Sequence, residues 1–309
     1  VVSFFLKDVI YFLSALFSTF LTKIIFPVEL IDNGKMNRIK IGKTVLGEGG
    51  FGKVFLGTYV IDVDTGKRVD AAIKEVPASR MDLEEYQLQS KLSKTPKCNS
   101  HIVCMYNMKY DAARDNYYIV MEYVRGKDLF HDLLATDRHL SNAKLMKIFK
   151  QALEGLVFIH ESGMAHGDIK LENLMLDKRS DQVKFIDFGF GCTKNTCSTS
   201  RAFHGTRYLS PPEAYRDKPL KKTLAVMQAA DNWALGSTFA EILTHHRTID
   251  IHLSGSTVSK STNIRQRVKR YSTEDHPQVM YDIIEGMMNI DPKKRLTAKQ
   301  ALNKILAAE

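Results

Sequence analysis

The chemistry of this chain is concentrated in two nearby runs. His166-Gly167-Asp168-Ile169-Lys170-Leu171-Glu172-Asn173 is followed by Ile186-Asp187-Phe188-Gly189. Asp168 and Asp187 supply carboxylates, Asn173 an amide and Lys170 an ammonium. Phosphoryl transfer uses this set: an acceptor for a hydroxyl proton, oxygen ligands for a divalent cation, and positive charge near the moving group. A fold that serves it must bring two loops together. The segment 143–160 has apolar residues at helical spacing (Leu145, Ile148, Phe149, Ala152, Leu153, Leu156, Ile159), so a helix is predicted to scaffold the first loop. Asp-Phe-Gly alone also suits a strand ending in a turn, with Gly189 taking positive φ.

Order and spacing narrow the choice. Upstream, Gly47, Gly49, Gly52 and Val54 form G-x-G-x-x-G-x-V between strand-like runs, and Ala71-Ala72-Ile73-Lys74 lies in the next strand. A strand, Val54-Phe55-Leu56, follows the glycines where a dinucleotide-binding motif would open a helix. Downstream come Gly205-Thr206-Arg207-Tyr208-Leu209-Ser210-Pro211-Pro212-Glu213, Asp231-Asn232-Trp233-Ala234-Leu235-Gly236 and Asp291-Pro292-Lys293-Lys294-Arg295. From about Ile39 to the C-terminus the chain resembles a eukaryotic-type protein kinase of the serine/threonine subclass. The resemblance implies an α+β, bilobal fold: a small, mainly β N-lobe (38–122) and a larger, mainly α C-lobe (125–309), after an apolar N-terminal segment (1–37).

The same resemblance implies ATP and Mg²⁺ as cofactors and Ser/Thr hydroxyls of protein substrates as acceptors. Leu46 and Val54 would cover the adenine, Gly47, Gly49 and Gly52 would bring backbone N–H groups to the phosphates, Met121 would control access behind the adenine, and Ala72 and Met175 would also bind the nucleotide. Glu122 and Val124 would offer backbone groups at the adenine edge. Asp128 would accept from the ribose or from a substrate arginine. Lys74 would contact the α- and β-phosphates, paired with Glu85 (alternatively Glu84) on a helix carrying Leu88 and Leu92. Asp168 would accept the hydroxyl proton, Lys170 would contact the γ-phosphate, and Asn173 and Asp187 would hold the metal. Thr206 would contact Asp168 and Lys170, Glu213 would be held by Arg295 in a buried ion pair, and Asp231 would start a helix and cap the catalytic loop. Glu172, with Asp128, suggests arginine upstream of the target residue.

Two positions depart from the pattern. Gly167 stands where most of the family has an arginine that pairs with a phosphorylated activation segment, so a weak dependence on Ser198, Thr199 and Ser200 is expected. Gln89 stands where an apolar residue is usual, which predicts a loosely seated helix. These departures motivate the alternative of a pseudokinase serving as a nucleotide-binding scaffold. A small-molecule phosphotransferase fits less well, because Pro211-Pro212-Glu213 and Trp233 resemble a protein-docking platform.

A chain of 309 residues with 44% hydrophobic content can bury a sizeable core. The net charge of +9 comes without a nucleic-acid-binding motif, so no nucleic-acid partner is expected. Cys98, Cys104, Cys192 and Cys197 show no C-x-x-C pairing and read as reduced cytoplasmic thiols, although Cys192 and Cys197 are near enough for a redox-sensitive disulfide. Residues 9–28 are apolar enough to suggest a membrane anchor or a docking helix. The polar, basic stretch Ser254–Ser272 reads as loop, and Ala298–Ala307 as an amphipathic helix capped by Thr297.

Overall fold

The computed structural model describes residues 39–49, 52–62, 64–81, 83–93, 98–136, 138–197, 205–215, 222–259, 261–272 and 274–309. They belong to two compact units: one runs to Met81 and resumes over Met105–Tyr123, the other comprises Asp82–Cys104 and Val124–Glu309. The apolar segment 9–28 lies outside the described residues. Among the described residues no helix is long and apolar enough to cross a membrane.

The first unit is an antiparallel five-stranded sheet in the order β1-β2-β3-β5-β4. Its strands are β1 (Ile39–Gly49), β2 (Gly52–Val60), β3 (Arg68–Pro77), β4 (Met105–Asp111) and β5 (Asn116–Glu122). Alternation along β3 explains its two faces, because successive side chains of a strand point oppositely. Ala71 and Ile73 are fully buried with Ile39, Tyr59, Tyr118 and Val120, whereas Ala72 and Lys74 face the other way and are half-buried. Gly52 has φ +133°, and a Cβ there would collide with the Glu75 carbonyl, so this end of the hairpin accepts only glycine.

The second unit is built on helices α1 (Leu83–Ser93), α2 (Asn142–Glu161), α3 (Leu224–Thr244), α4 (Ile264–Tyr271), α5 (Gln278–Met287) and α6 (Ala298–Leu306). Two small ladders complete it: β6 (Met164–Ala165) with β9 (Cys192–Thr193), and β7 (Leu174–Asp177) with β8 (Gln182–Phe185). Helix α3 is buried nearly all round, with Trp233, Leu235, Phe239 and Ala240 fully enclosed, which marks it as the axis of the unit. Phe239 stacks on Phe149 of α2 at 3.8 Å between ring centroids. Each such side chain contributes about 1.5–3 kcal/mol by leaving water. Ser141, Thr223, Asn263 and Thr297 each accept a backbone N–H at a helix start, and Thr297 with Gln300 makes a full capping box. Such a cap contributes about 1 kcal/mol.

Several expectations are corrected here. Asp231 does not start a helix: α3 begins at Leu224 under the Thr223 cap, and Asp231 sits within it. The stretch Ser254–Ser272 is not all loop, because α4 occupies Ile264–Tyr271 with Ile264 and Val268 buried one turn apart. Basic residues obscured this period; among them Arg265 pairs with Asp282 and Glu285 of α5, and Arg267 donates to the Ile251 carbonyl. The cysteines are not reduced thiols: Cys98 is bonded to Cys104 and Cys192 to Cys197. The Cys192–Cys197 bond is the one that the nearness of those two residues allowed, whereas the Cys98–Cys104 bond was not anticipated. Gln89 is buried, and its side chain donates to the Val103 carbonyl at 3.2 Å, so the polar group is satisfied while Leu88 and Leu92 of α1 join the core.

Candidate active site

The catalytic loop is held from beneath by α3. Asp231 accepts the backbone N–H groups of His166 at 2.7 Å and Gly167 at 2.8 Å, which fulfils its expected capping role. His160 places a ring nitrogen 3.0 Å from the same carboxylate. His166 is fully buried; its ring meets the Ile186 carbonyl at 3.1 Å and packs against Phe188 at 4.9 Å, tying this loop to the one that carries Asp187. The sequence named neither histidine's role, although His166 opens the motif and His160 lies just before it. Gly167 has φ +81° and presses on the Phe190 carbonyl, so a side chain there would be strained and obstructed.

Above this base, Asp168 is 5% exposed and saturated with donors. One of its oxygens accepts the Thr206 backbone N–H at 2.8 Å and the Thr206 hydroxyl at 2.9 Å. The other accepts from Lys170 Nζ at 2.6 Å and Asn173 Nδ2 at 3.1 Å. Burial alone would raise its pKa, but the Lys170 ammonium and the Thr206 donors outweigh burial and hold it below the ordinary carboxylate value. Thr206 and Lys170 thus meet Asp168 as expected, and Lys170 also reaches the Thr206 hydroxyl at 3.2 Å.

Asn173 donates its amide N–H to Asp168, which leaves the amide oxygen as the available acceptor. Asp187, not Gly189, carries the left-handed backbone of the second loop, with φ +61°, a conformation that Asp tolerates better than most residues. Its carboxylate is exposed and accepts the Gly189 N–H at 3.2 Å. A carboxylate and an amide oxygen, both hard donors, fit a magnesium-type cation that completes its shell with phosphates and water.

The remaining candidates divide between the units. In the sheet, Val54 is opposite Lys74 and Ala72 opposite Met121, so strand register puts these four residues on one face. Leu46 is 40% exposed near the end of β1, a Cβ at Gly47 would meet no atom within 4 Å, and Gly49 pairs with Gly52. Glu122 ends β5. In the helical unit Val124 is buried, and Asp128 forms a bridge with Met175. Asp128 accepts the His131 backbone N–H at 3.0 Å and lies 2.8 Å from its ring. The side chains of Glu84 and Glu85, and residues 198–200, lie outside the described residues.

Two further groupings support the loop. Glu213 and Arg295 form a buried bidentate pair at 2.8 and 3.0 Å, as expected, with the guanidinium 5.1 Å from the Trp233 ring. Glu172 is bound by Arg247, a residue that no motif singled out, at 2.7 Å.

Comparison with known proteins agrees with this geometry. The family model described as "Protein kinase domain" matches residues 41–306. The maternal embryonic leucine zipper kinase of Danio rerio is 28% identical over 267 residues, which cover 84% of this chain and 36% of that protein. The serine/threonine-protein kinase ppk25 of Schizosaccharomyces pombe is 28% identical over 265 residues, 84% of this chain and 58% of its own length. A probable serine/threonine-protein kinase of Dictyostelium discoideum, fhkA, is 25% identical over 289 residues, 84% of this chain and 48% of its own. The chain therefore spans 36% to 58% of the length of these relatives. With its motifs in order along 41–306 and Asp168 seated between Lys170 and Thr206, the chain belongs to the protein kinase domain family, in its serine/threonine subclass.

Proposed function

We propose that this chain transfers the γ-phosphoryl group of Mg-ATP to serine or threonine hydroxyls of protein substrates. The observation that carries the proposal is the Asp168 carboxylate, buried, ionised and fixed by Lys170, Asn173 and Thr206. An anchored carboxylate can orient an acceptor hydroxyl and accept its hydrogen bond. Lys170 already pairs with Asp168 and would balance phosphoryl charge as it develops. Asn173 and Asp187 would hold the magnesium ion, which when bound neutralises phosphate charge. Lys74, Ala72, Val54 and Met121, which share a face of the sheet, would serve the nucleotide. Phosphorylation-independent catalysis also belongs to this reading, since Gly167 offers no guanidinium to a phosphorylated segment.

The test is transfer of radiolabelled phosphate from ATP to a generic protein acceptor. Transfer by the wild-type chain, lost in Asp187→Ala while the fold is retained, is expected. Nucleotide binding without transfer would instead identify a scaffold.

A further inference from the structure

Beside the catalytic loop lies an acidic site that the chain fills for itself. Glu172 sits in that loop between Lys170 and Asn173, and its Oε1 accepts from Arg247 Nη2 at 2.7 Å. Its other oxygen, Oε2, is buried and has no hydrogen-bond partner among the described residues. The same guanidinium reaches the Tyr208 hydroxyl at 2.9 Å and Glu241 at 3.3 Å, and lies 4.1 Å from the Phe130 ring centroid. Glu241 is fully buried on α3 and takes the Thr248 backbone N–H at 2.9 Å. Two carboxylates thus share one guanidinium, and acceptor capacity is left over. The site is reachable: the side chains of Arg247 and Glu172 are 22% and 32% exposed. Tyr208 belongs to the segment that begins at Thr206, so the cluster adjoins the place where Asp168 would meet its acceptor.

We propose that Arg247 is a specificity-determining residue: its guanidinium occupies the Glu172–Glu241 site, so that Glu172 does not select an arginine in the substrate. This inference rests on the kinase reading above. Removing the guanidinium leaves the Glu172 carboxylate and its neighbour Glu241 without the cation they share, a state that a bidentate guanidinium from outside relieves best. Loss of Arg247 therefore turns the site into a subsite for substrate arginine. The expectation that Glu172 recruits basic substrates is thereby reversed for the wild-type chain.

The experiment uses the full chain and serine peptides in which one arginine is moved a position at a time along the sequence. For the wild-type chain, kcat/KM is expected to vary with arginine position by less than about threefold, and Glu172→Gln is expected to leave that profile unaltered. In Arg247→Ala, arginine at one position upstream of the serine is expected to raise kcat/KM about tenfold, roughly 1.4 kcal/mol. Adding Glu172→Gln to that variant should erase the gain, which a purely structural role for Arg247 would not produce. Arg247→Met, which keeps the bulk of the side chain, repeats the measurement if the alanine variant does not fold. The proposal is overturned if the wild-type chain already favours arginine and loses the preference with Glu172→Gln. It is equally overturned if a folded, active Arg247 variant has a flat profile. No transfer by the folded wild-type chain to any peptide would instead overturn the kinase reading, and this inference with it.

Discussion

Two buried carboxylates of the helical unit, Asp168 and Glu241, each have a cation nearby, yet their acidities move in opposite directions. Asp168 has four donors within 3.1 Å, one of them an ammonium at 2.6 Å that faces it directly. Its carboxyl is held below the ordinary range. Glu241 is more deeply buried, and its one short bond is to the Thr248 N–H; the guanidinium reaches it only at 3.3 Å because closer bonds go to Glu172 and Tyr208. Burial therefore wins, and pushes Glu241 up to about 7. Proximity to a cation does not decide ionisation. The number of short donors that remain committed to the carboxylate does.

The strongest way to break this contrast is to remove the charge of the well-served carboxylate. Asp168→Asn keeps the shape but cannot hold a hydroxyl proton, and is expected to cut kcat by about a hundred- to ten-thousandfold, roughly 3–5 kcal/mol of barrier. In the wild-type chain the sign follows from the lowered pKa: Asp168 stays ionised through neutral pH, and its contribution is lost only as pH falls through its depressed value. The acid limb of kcat assigned to this group should therefore lie below the ordinary aspartate value of about 4. A limb above that value would contradict the donor count.

Glu213 supplies a third case, a carboxylate whose two oxygens are both taken by Arg295. Arg295→Ala strands that carboxylate in the core and is expected to cost about 3–5 kcal/mol of unfolding free energy, measured by urea denaturation. A loss under about 1 kcal/mol would mean that the pair is far better solvated than its burial suggests.

Glu241→Gln sharpens the other side of the contrast. Because the folded-state pKa of Glu241 is raised, its protonation favours the fold at low pH, and that contribution is lost as pH rises from about 4.5 to about 7. The difference in stability between variant and wild type should change by on the order of 3 kcal/mol across that window. A pH-independent difference would place the Arg247 charge nearer to Glu241 than to Glu172.

The smallest effect is expected at the segment whose usual arginine partner is replaced by Gly167. Changing Ser198, Thr199 and Ser200 to alanine together should alter turnover by less than about tenfold, 1.4 kcal/mol. A collapse of a hundredfold would show that another cation does the work of the missing one.

Much of this was legible in the sequence because its signals are local. The loop Asp168–Asn173, the glycine run before Lys74, the helix through Phe149 and the Thr297 cap all rest on residues a few positions apart, whose periodicity or turn chemistry does not depend on the rest of the chain. The Glu213–Arg295 pair, 82 positions apart, was legible only through resemblance. Where that guide was silent, reading failed. The bond between Arg247 and Glu172 spans 75 positions and carries no pattern, and the bonding of Cys98 to Cys104 depends on how the chain turns before β4. The early start of α3 was not anticipated: only Met227 and Ala230 are buried in its first two turns, too few to mark a stripe. The sequence by itself thus determined which groups are available for phosphoryl transfer and their order along the chain. Only the tertiary structure decided which carboxylate keeps its donors and which must share them, because that depends on distances of a few ångströms between residues far apart in the chain.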